Sequence, residues 1–156
     1  MLVALALFAC VTPPATVTGD AAFPVASASW WQSAEVDALW LAETPELCAS
    51  TLREGDRYLR IDGLDAFEVG AQELDGDDAW YLPHAWLGAV RATGVGSVGV
   101  VEPVDLDEQA LGTGTVDVSR FEEDGTLTGT LVGTLADGTA VAASFTAAYC
   151  VPSAGD

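Results

Sequence analysis

The sequence predicts a single, mostly β domain, folded as an antiparallel β-sandwich or a small barrel with one or two short helices. Three observations carry this prediction. Apolar and polar residues alternate along the C-terminal third, as in strands that have one buried and one solvated face. Turn residues recur there about every 10 to 14 residues, a spacing typical of sandwiches and barrels. The length of 156 residues is that of one domain with a sizeable core.

Strand signals in the first half of the chain are short and irregular. Residues 23–30 alternate loosely between apolar and small side chains, and residues 36–41 form an apolar run typical of buried strands. Residues 58–61 and 66–69 have the composition of two further strands. Between them, Asp62-Gly63 is a turn signal.

A short helix is predicted to begin at Thr44. Thr44 supplies an N-cap, Pro45 suits the first helical position, and Glu46 places an acid in the first turn. The helix would end near Gly55. It would bury one face, made of Leu47, Cys48 and Leu52.

Residues 83–91 form either a second short helix or an irregular strand. The side chains of Leu82, Trp86 and Val90 are four residues apart, and this spacing slightly favours the helix.

The C-terminal third predicts a three-stranded antiparallel meander. Its strands are residues 112–121, 126–135 and 139–149, and its turns lie at residues 123–125 and 137–138. One face is apolar and the other is rich in threonine and other polar residues. The apolar face consists of Val116, Val118, Leu127, Leu131, Leu135, Val141, Phe145 and Tyr149.

The composition is strongly acidic. The chain has 24 Asp and Glu against 5 Arg and no Lys, so its formal net charge is −19. Phosphate binding needs clustered cations, and we therefore expect no nucleic-acid partner and no polybasic dock on anionic lipid. An alternative reading of the acidity is adaptation of the whole proteome to salt, which says nothing about a partner.

The first ten residues are predicted to be an export signal. Residues 2–9 are an unbroken apolar run, too short to span a bilayer but long enough for the core of a secretory signal. The run ends Leu7-Phe8-Ala9-Cys10, which resembles the lipobox of bacterial lipoprotein signal peptides. The resemblance implies that the chain is cut before Cys10 and that lipid is attached to the Cys10 sulfur. The alternative is a short apolar strand tucked into the core.

The resemblance implies a domain organisation and a location. Residues 1–9 would be the signal peptide, residues 10–20 a lipidated cysteine and tether, residues 21–152 the acidic β domain, and residues 153–156 a tail. The protein would be held at the cell envelope, outside the cytoplasm, by its lipid. In an organism with two membranes, the outer one is expected.

The three cysteines fit this scheme. If Cys10 carries lipid, Cys48 and Cys150 remain as an even pair in an oxidising compartment, where a disulfide persists. Closing a loop of about 100 residues is worth about 4.7 kcal/mol in the chain-entropy model. Two buried free thiols are the alternative.

Two groups of residues invite a catalytic or metal-binding interpretation. Asp75, Asp77 and Asp78 are oxygen donors that could hold Ca²⁺, although the EF-hand pattern is absent and a solvated acidic turn is the simpler reading. No other cofactor is expected. His84 is the only histidine, so a serine hydrolase would have to use it; the alternative is a packing or hydrogen-bonding histidine.

Aromatic residues suggest a ligand surface. Trp80, Tyr81 and Trp86 flank the acidic turn, and exposed rings beside carboxylates can stack on sugars. Core packing is the alternative. Among the early tryptophans, Trp30, Trp31 and Trp40, we expect at least two in the core.

The sequence therefore favours a structural or binding role for an envelope-anchored lipoprotein over catalysis. A carbohydrate- or small-ligand-binding module that uses the Trp80, Tyr81 and Trp86 rings is the first alternative. A hydrolase that uses His84 is the second. The body of the chain resembles no family of known activity.

Overall fold

The structure is a computed structural model and describes residues 15–32, 37–45, 52–63, 68–75, 82–95, 101–123 and 125–150. These ranges contain nine strands and no helix, so the mostly β class is confirmed. The strands are β1 (Ala15–Gly19), β2 (Ser27–Gln32), β3 (Asp37–Ala42), β4 (Arg57–Asp62), β5 (Gly70–Asp75), β6 (His84–Val95), β7 (Val101–Phe121), β8 (Thr126–Leu135) and β9 (Ala140–Tyr149).

The strands form one sheet that closes, because the last strand of a continuous run pairs with the first. Successive neighbours run β2-β3-β4-β6-β7-β8-β9, and β9 pairs again with β2. The β2–β9 contact is short and parallel, whereas the other pairings are antiparallel. The architecture is therefore barrel-like, as predicted, with one parallel pair that the purely antiparallel prediction did not include.

Two strands, β7 and β9, each pair with two different strands along the same edge. The first half of β7 pairs with β6, and its second half pairs with β5 on that side and with β8 on the other. In the same way, β9 pairs with β1 along its first half and with β2 at its end. The register of the β6–β7 pair shifts after Val90, an irregularity of the kind that bends a strand and increases its twist.

The interior of this sheet is the main hydrophobic core. Trp30 is fully buried there, with its ring 5.4 Å from that of Phe121 and 4.7 Å from that of Tyr149, centroid to centroid. Its indole Nε1 donates to the carbonyl of Gly125 at 3.1 Å, so its polar atom is satisfied inside the core. The other large interior side chains are Leu39, Leu41, Leu59, Ile61, Leu111, Leu127 and Leu131.

The predicted C-terminal meander is confirmed. β7, β8 and β9 pair antiparallel in order, with Leu127, Leu131 and Leu135 buried and the threonines of β8 on the opposite face. The turn after β8 contains Gly138 with a φ of 88°, a left-handed conformation that glycine adopts without a steric penalty.

The helix favoured for residues 83–91 is wrong. This segment belongs to β6, which pairs with β4 on one side and with β7 on the other. Two flanking strands satisfy its backbone hydrogen-bonding groups, and this tertiary pairing outweighs a weak local helix signal.

The predicted tether does not extend to residue 20. Residues 15–19 form β1, whose Ala15 and Val17 side chains are buried and whose backbone pairs with β9. The β domain therefore includes β1. Residues 1–14 and 151–156 lie outside the described part, and so do the predicted signal peptide, Cys10 and the tail.

Several strand boundaries also differ from the prediction. β2 begins at Ser27 rather than at residue 23, and Phe23 makes only an isolated bridge to Val17. Val69 lies in a bend before β5, and β7 begins at Val101, well before residue 112.

The helix expected after Thr44 falls mostly on residues 46–51, outside the described part. Leu52 is buried, as predicted, in a small second cluster with Tyr58 and Val90. The Thr44 hydroxyl is fully buried and donates to the carboxylate of Asp56. Within the described ranges, no helical segment has the length and apolar character needed to cross a bilayer.

Candidate functional site

One row of side chains lies on the outer face of the sheet. On β3, β4 and β6 the interior side chains alternate with Trp40, Arg60 and Trp86, which therefore point away from the core. Arg60 is directly opposite Trp40 on one side and Trp86 on the other. We call Trp31, Trp40, Arg60, Trp86 and His84 the outer-face aromatic row; all five are partly exposed.

The rings of the row are in contact and nearly continuous. Trp31 and Trp40 stack with centroids 5.8 Å apart and an interplanar angle of 17°. The Arg60 guanidinium carbon lies 4.4 Å from the centroid of Trp86 and 5.5 Å from that of Trp40, so one cation is held between two indoles. His84 continues the row, with its ring 5.5 Å from Trp86.

Two carboxylates border the row. Asp62 Oδ2 lies 3.1 Å from Arg60 Nε, and Glu108 Oε2 lies 3.5 Å from Arg60 Nη2. The hydroxyl of Tyr58, which is buried, donates to Glu108 Oε1 at 2.7 Å. With one guanidinium facing two carboxylates, this border of the row is rich in hydrogen-bond acceptors.

Burial perturbs two ionisable groups beside the row. Removal from solvent raises the pKa of Asp62 to about 6, a rise that the Arg60 charge opposes and the Glu108 charge adds to. Burial, together with the hydrogen bond to Glu108, raises the pKa of Tyr58 well above its ordinary value. Tyr58 therefore stays a neutral donor at every physiological pH.

Three buried polar atoms in this region make no hydrogen bond to the described residues. They are Trp40 Nε1 and Arg60 Nε, which are donors, and Asp62 Oδ1, an acceptor. Of these, Arg60 Nε still faces a charge, because Asp62 Oδ2 lies 3.1 Å away. Leaving such an atom unsatisfied costs about 1–3 kcal/mol, so a bound water or ligand hydroxyl would stabilise it. The row thus combines flat apolar faces with an unused donor and an unused acceptor.

Only one of the three residues of the predicted ligand surface lies in the described part of the structure. Trp86 lies in the row, whereas Trp80 and Tyr81 lie outside the described residues. The expectation that two early tryptophans fill the core is wrong, because only Trp30 does so. Trp31 and Trp40 face outward. Successive side chains of a strand point to opposite faces, and each of these two directly follows a residue that points into the core.

His84 lies opposite Asp62 in the β4–β6 pair and beside Trp86. Among the hydrogen bonds of the described residues, none joins His84 to a serine hydroxyl. A catalytic role for His84 thus stays a prediction without a supporting contact.

The calcium prediction is also untested. Asp77 and Asp78 lie outside the described residues, as does the side chain of Asp75. Within the part of the chain that is described, no group of three or more His, Cys, Asp or Glu side chains is arranged to hold a metal ion.

Cys150 directly follows β9 and donates its backbone N–H to the carbonyl of Trp30 at 2.7 Å. It is not a free thiol. Because Cys10 and Cys48 lie outside the described residues, the Cys48–Cys150 pairing stays a prediction.

Comparison with known proteins gives no relative from which a role could be carried over. No protein-family model, curated protein or solved structure matches the chain. The functional argument therefore rests on the geometry of the site itself.

Proposed function

We propose that this protein is an envelope-anchored binding module that recognises carbohydrate through the outer-face aromatic row. The arrangement of Trp40, Arg60 and Trp86 carries the proposal, because three neighbouring strands bring two partly exposed indoles and the guanidinium between them together on one outer face. A sugar ring has an apolar face that stacks on indole and a rim of hydroxyls. Those hydroxyls fit the carboxylates of Asp62 and Glu108 and the unused Trp40 Nε1.

The size of the row favours a short oligosaccharide over a single sugar. Beyond these three residues, the row continues with the ring of Trp31, stacked 5.8 Å from that of Trp40, and with the ring of His84, 5.5 Å from that of Trp86. A ligand that covers the whole row needs several linked rings. Trp80 and Tyr81 belong to this proposal as further stacking residues.

Calorimetric titration tests the proposal with three soluble trisaccharides, chitotriose, cellotriose and maltotriose. We expect at least one to bind with a Kd of about 1 mM or tighter. Trp86→Ala should weaken that binding about tenfold, because it removes a stacking face together with its buried apolar area.

The matched control is Val132→Ala, which truncates an exposed apolar side chain on β8. It should leave the affinity unchanged. The proposal is wrong if none of the three sugars produces heat at about 10 mM, or if the Trp86→Ala and Val132→Ala proteins bind sugar equally well.

We also propose that lipid on Cys10 holds the module at the envelope and that Cys48 pairs with Cys150. The lipobox-like end of the leader supports the first statement. Two observations support the second statement. Cys150 is not a free thiol, and of the three cysteines two remain to pair if Cys10 carries lipid.

Mass spectrometry of the full chain, expressed in a bacterium that processes lipoproteins, tests both statements. We expect a mature chain that begins at lipid-modified Cys10, and a non-reduced digest that contains a peptide joining Cys48 to Cys150. Cys10→Ser is the control and should be neither lipidated nor cut at this site. An uncleaved wild-type chain with a free Cys10 thiol would exclude the anchor.

A further inference from the structure

A second site opens at one end of the barrel, away from the aromatic row. It is a cavity of about 210 Å³ lined by Phe23, Arg57, Leu87, Ala89, Asp107 and Gln109, with Ala21 and Gly88 completing the wall. On β4, Arg57 lies on the same strand face as the interior residue Leu59. On β6, Leu87 and Ala89 lie on the same strand face as the buried Ala85. The cavity is therefore the unfilled end of the barrel interior.

Small residues leave this end of the barrel open. Ala89 pairs with Arg57 on β4 and with Asp107 on β7, so the shortest side chain of this row stands between two long polar ones. Phe23, which is buried, forms an apolar wall from the segment between β1 and β2, and Leu87 contributes a second apolar surface. The inner part of the cavity therefore favours an apolar ring.

The charges at the rim are already neutralised. Arg57 Nη2 lies 2.9 Å from Glu43 Oε1, and its Nη1 donates to the Ala22 carbonyl at 3.2 Å. Asp107 Oδ2 accepts from Arg91 Nη2 at 2.5 Å. An ionic ligand would have to compete with these pairs, so the rim discriminates against a full charge.

Neutral hydrogen-bonding capacity remains at the rim. The amide of Gln109 makes no hydrogen bond to another described residue and supplies both a donor and an acceptor. The second carboxylate oxygen of Asp107 is an additional acceptor. These groups suit a hydroxyl or an amide on the ligand.

We propose that this cavity binds a small neutral aromatic molecule that carries one hydroxyl or amide group. An apolar cavity of about 150 Å³ accommodates benzene, so 210 Å³ holds one aromatic ring with a short polar substituent. The ring packs between Phe23 and Leu87, and the substituent faces Gln109. Barrel mouths are a recurrent position for such sites.

The test is an NMR titration of the full chain with benzyl alcohol and benzamide, beside benzoate and benzylamine as charged counterparts. We expect saturable shifts of amides on β4, β6 and β7 around the cavity with the two neutral probes. The charged probes should bind at least about tenfold more weakly. No saturable shift with either neutral probe at about 10 mM, or tighter binding of a charged one, would overturn the proposal.

Two variants locate the binding. Ala89→Leu fills the cavity and should abolish the shifts, whereas Ala71→Leu, at an exposed position on β5, should leave them unchanged. Gln109→Leu changes an exposed side chain and should weaken benzamide binding about fivefold, the equivalent of one hydrogen bond. Binding to the Ala89→Leu protein within twofold of wild type would contradict the assignment even if the Gln109 variant behaves as expected.

The result is independent of the sugar proposal. Trp86→Ala removes a side chain from the opposite face of β6 and should leave the binding of benzyl alcohol unchanged.

Discussion

Arg60 is the residue on which the candidate site depends. It contacts both Trp40 and Trp86 and forms ion pairs with Asp62 and Glu108. A guanidinium suits this position because it is flat, stacks on indole and keeps donors free at its edge. Burial opposes the ionisation of its neighbour Asp62 and raises the pKa of that carboxyl.

The raised pKa of Asp62 predicts a pH-dependent stability. Below its ordinary pKa of 3.8 the carboxyl is protonated in both states and has no effect. As the pH rises through 3.8 to about 6, the unfolded chain releases the proton before the folded one does, so the folded state loses stability. Above about pH 6 the loss is complete, and we expect it to be about 1–2 kcal/mol after allowance for partial exposure.

The Asp62→Asn variant isolates this effect. Relative to wild type, its free energy of unfolding should rise between pH 4 and pH 8 by about that 1–2 kcal/mol, measured by urea denaturation. Asp117→Asn, at an exposed position on β7, is the control and should show no such change with pH. A constant difference between Asp62→Asn and wild type at all pH values would show that the Asp62 carboxyl titrates alike in both states.

At the scale of the element, β6 shows why local sequence is insufficient. Trp86 and Val90 are four residues apart, which places two side chains on one face of a helix. A separation of four is also an even number, so the same two side chains share one face of a strand. The spacing that favoured a helix is therefore equally compatible with β6 as the structure has it.

Gly88 on β6 gives a sharper prediction. A Cβ at this position would lie 2.6 Å from both Cζ and Oη of Tyr58, whose ring covers the glycine on the neighbouring strand. Gly88→Ala must therefore displace Tyr58 and its hydrogen bond to Glu108. We expect a loss of about 1–3 kcal/mol in the free energy of unfolding, measured by urea denaturation.

Gly112→Ala is the matched control, because a Cβ there meets no atom within 4 Å. It should change the stability by less than about 1 kcal/mol. Equal losses in the two variants would mean that the cost comes from glycine replacement in a strand and not from Tyr58.

The elements that sequence predicted well share one property. β8 and β9 each have ten residues in strict alternation, and the apolar face of each strand is decided by its own residues. The aromatic row could not be predicted in this way. Its members Trp40, Arg60 and Trp86 come from three strands, and their contact depends on a cross-strand register that local sequence does not encode. One signal in the sequence is strand alternation, because Trp40 lies between Leu39 and Leu41 and therefore on the opposite face of its strand from them.

On the scale of the whole molecule, charge is the dominant feature. Arg57, Arg60, Arg91 and Arg120 each pair with a carboxylate. The chain nevertheless has 24 acidic residues against five arginines and a net charge of −19, so most carboxylates have no cation of their own to pair with. Repulsion of this kind destabilises the compact state and is screened by salt.

We therefore predict that the melting temperature rises by about 3–8 °C between about 10 mM and 500 mM NaCl, in a scan followed by circular dichroism. KCl should act equally, since the effect is screening. A flat or falling melting temperature would mean that the charges are already well separated in the fold. A further rise with millimolar CaCl₂ at matched ionic strength would instead indicate a specific site, for which Asp75, Asp77 and Asp78 are the candidates.

The pairing of β1 with β9 limits how far the barrel could stand from the proposed lipid on Cys10. Only Val11 to Pro14 separate Cys10 from Ala15, the first residue of β1. Five steps of extended backbone reach no further than about 18 Å. A barrel fixed at Cys10 would thus rest close above the lipid headgroups, within reach of surface-bound glycans and not of polymers in a distant layer.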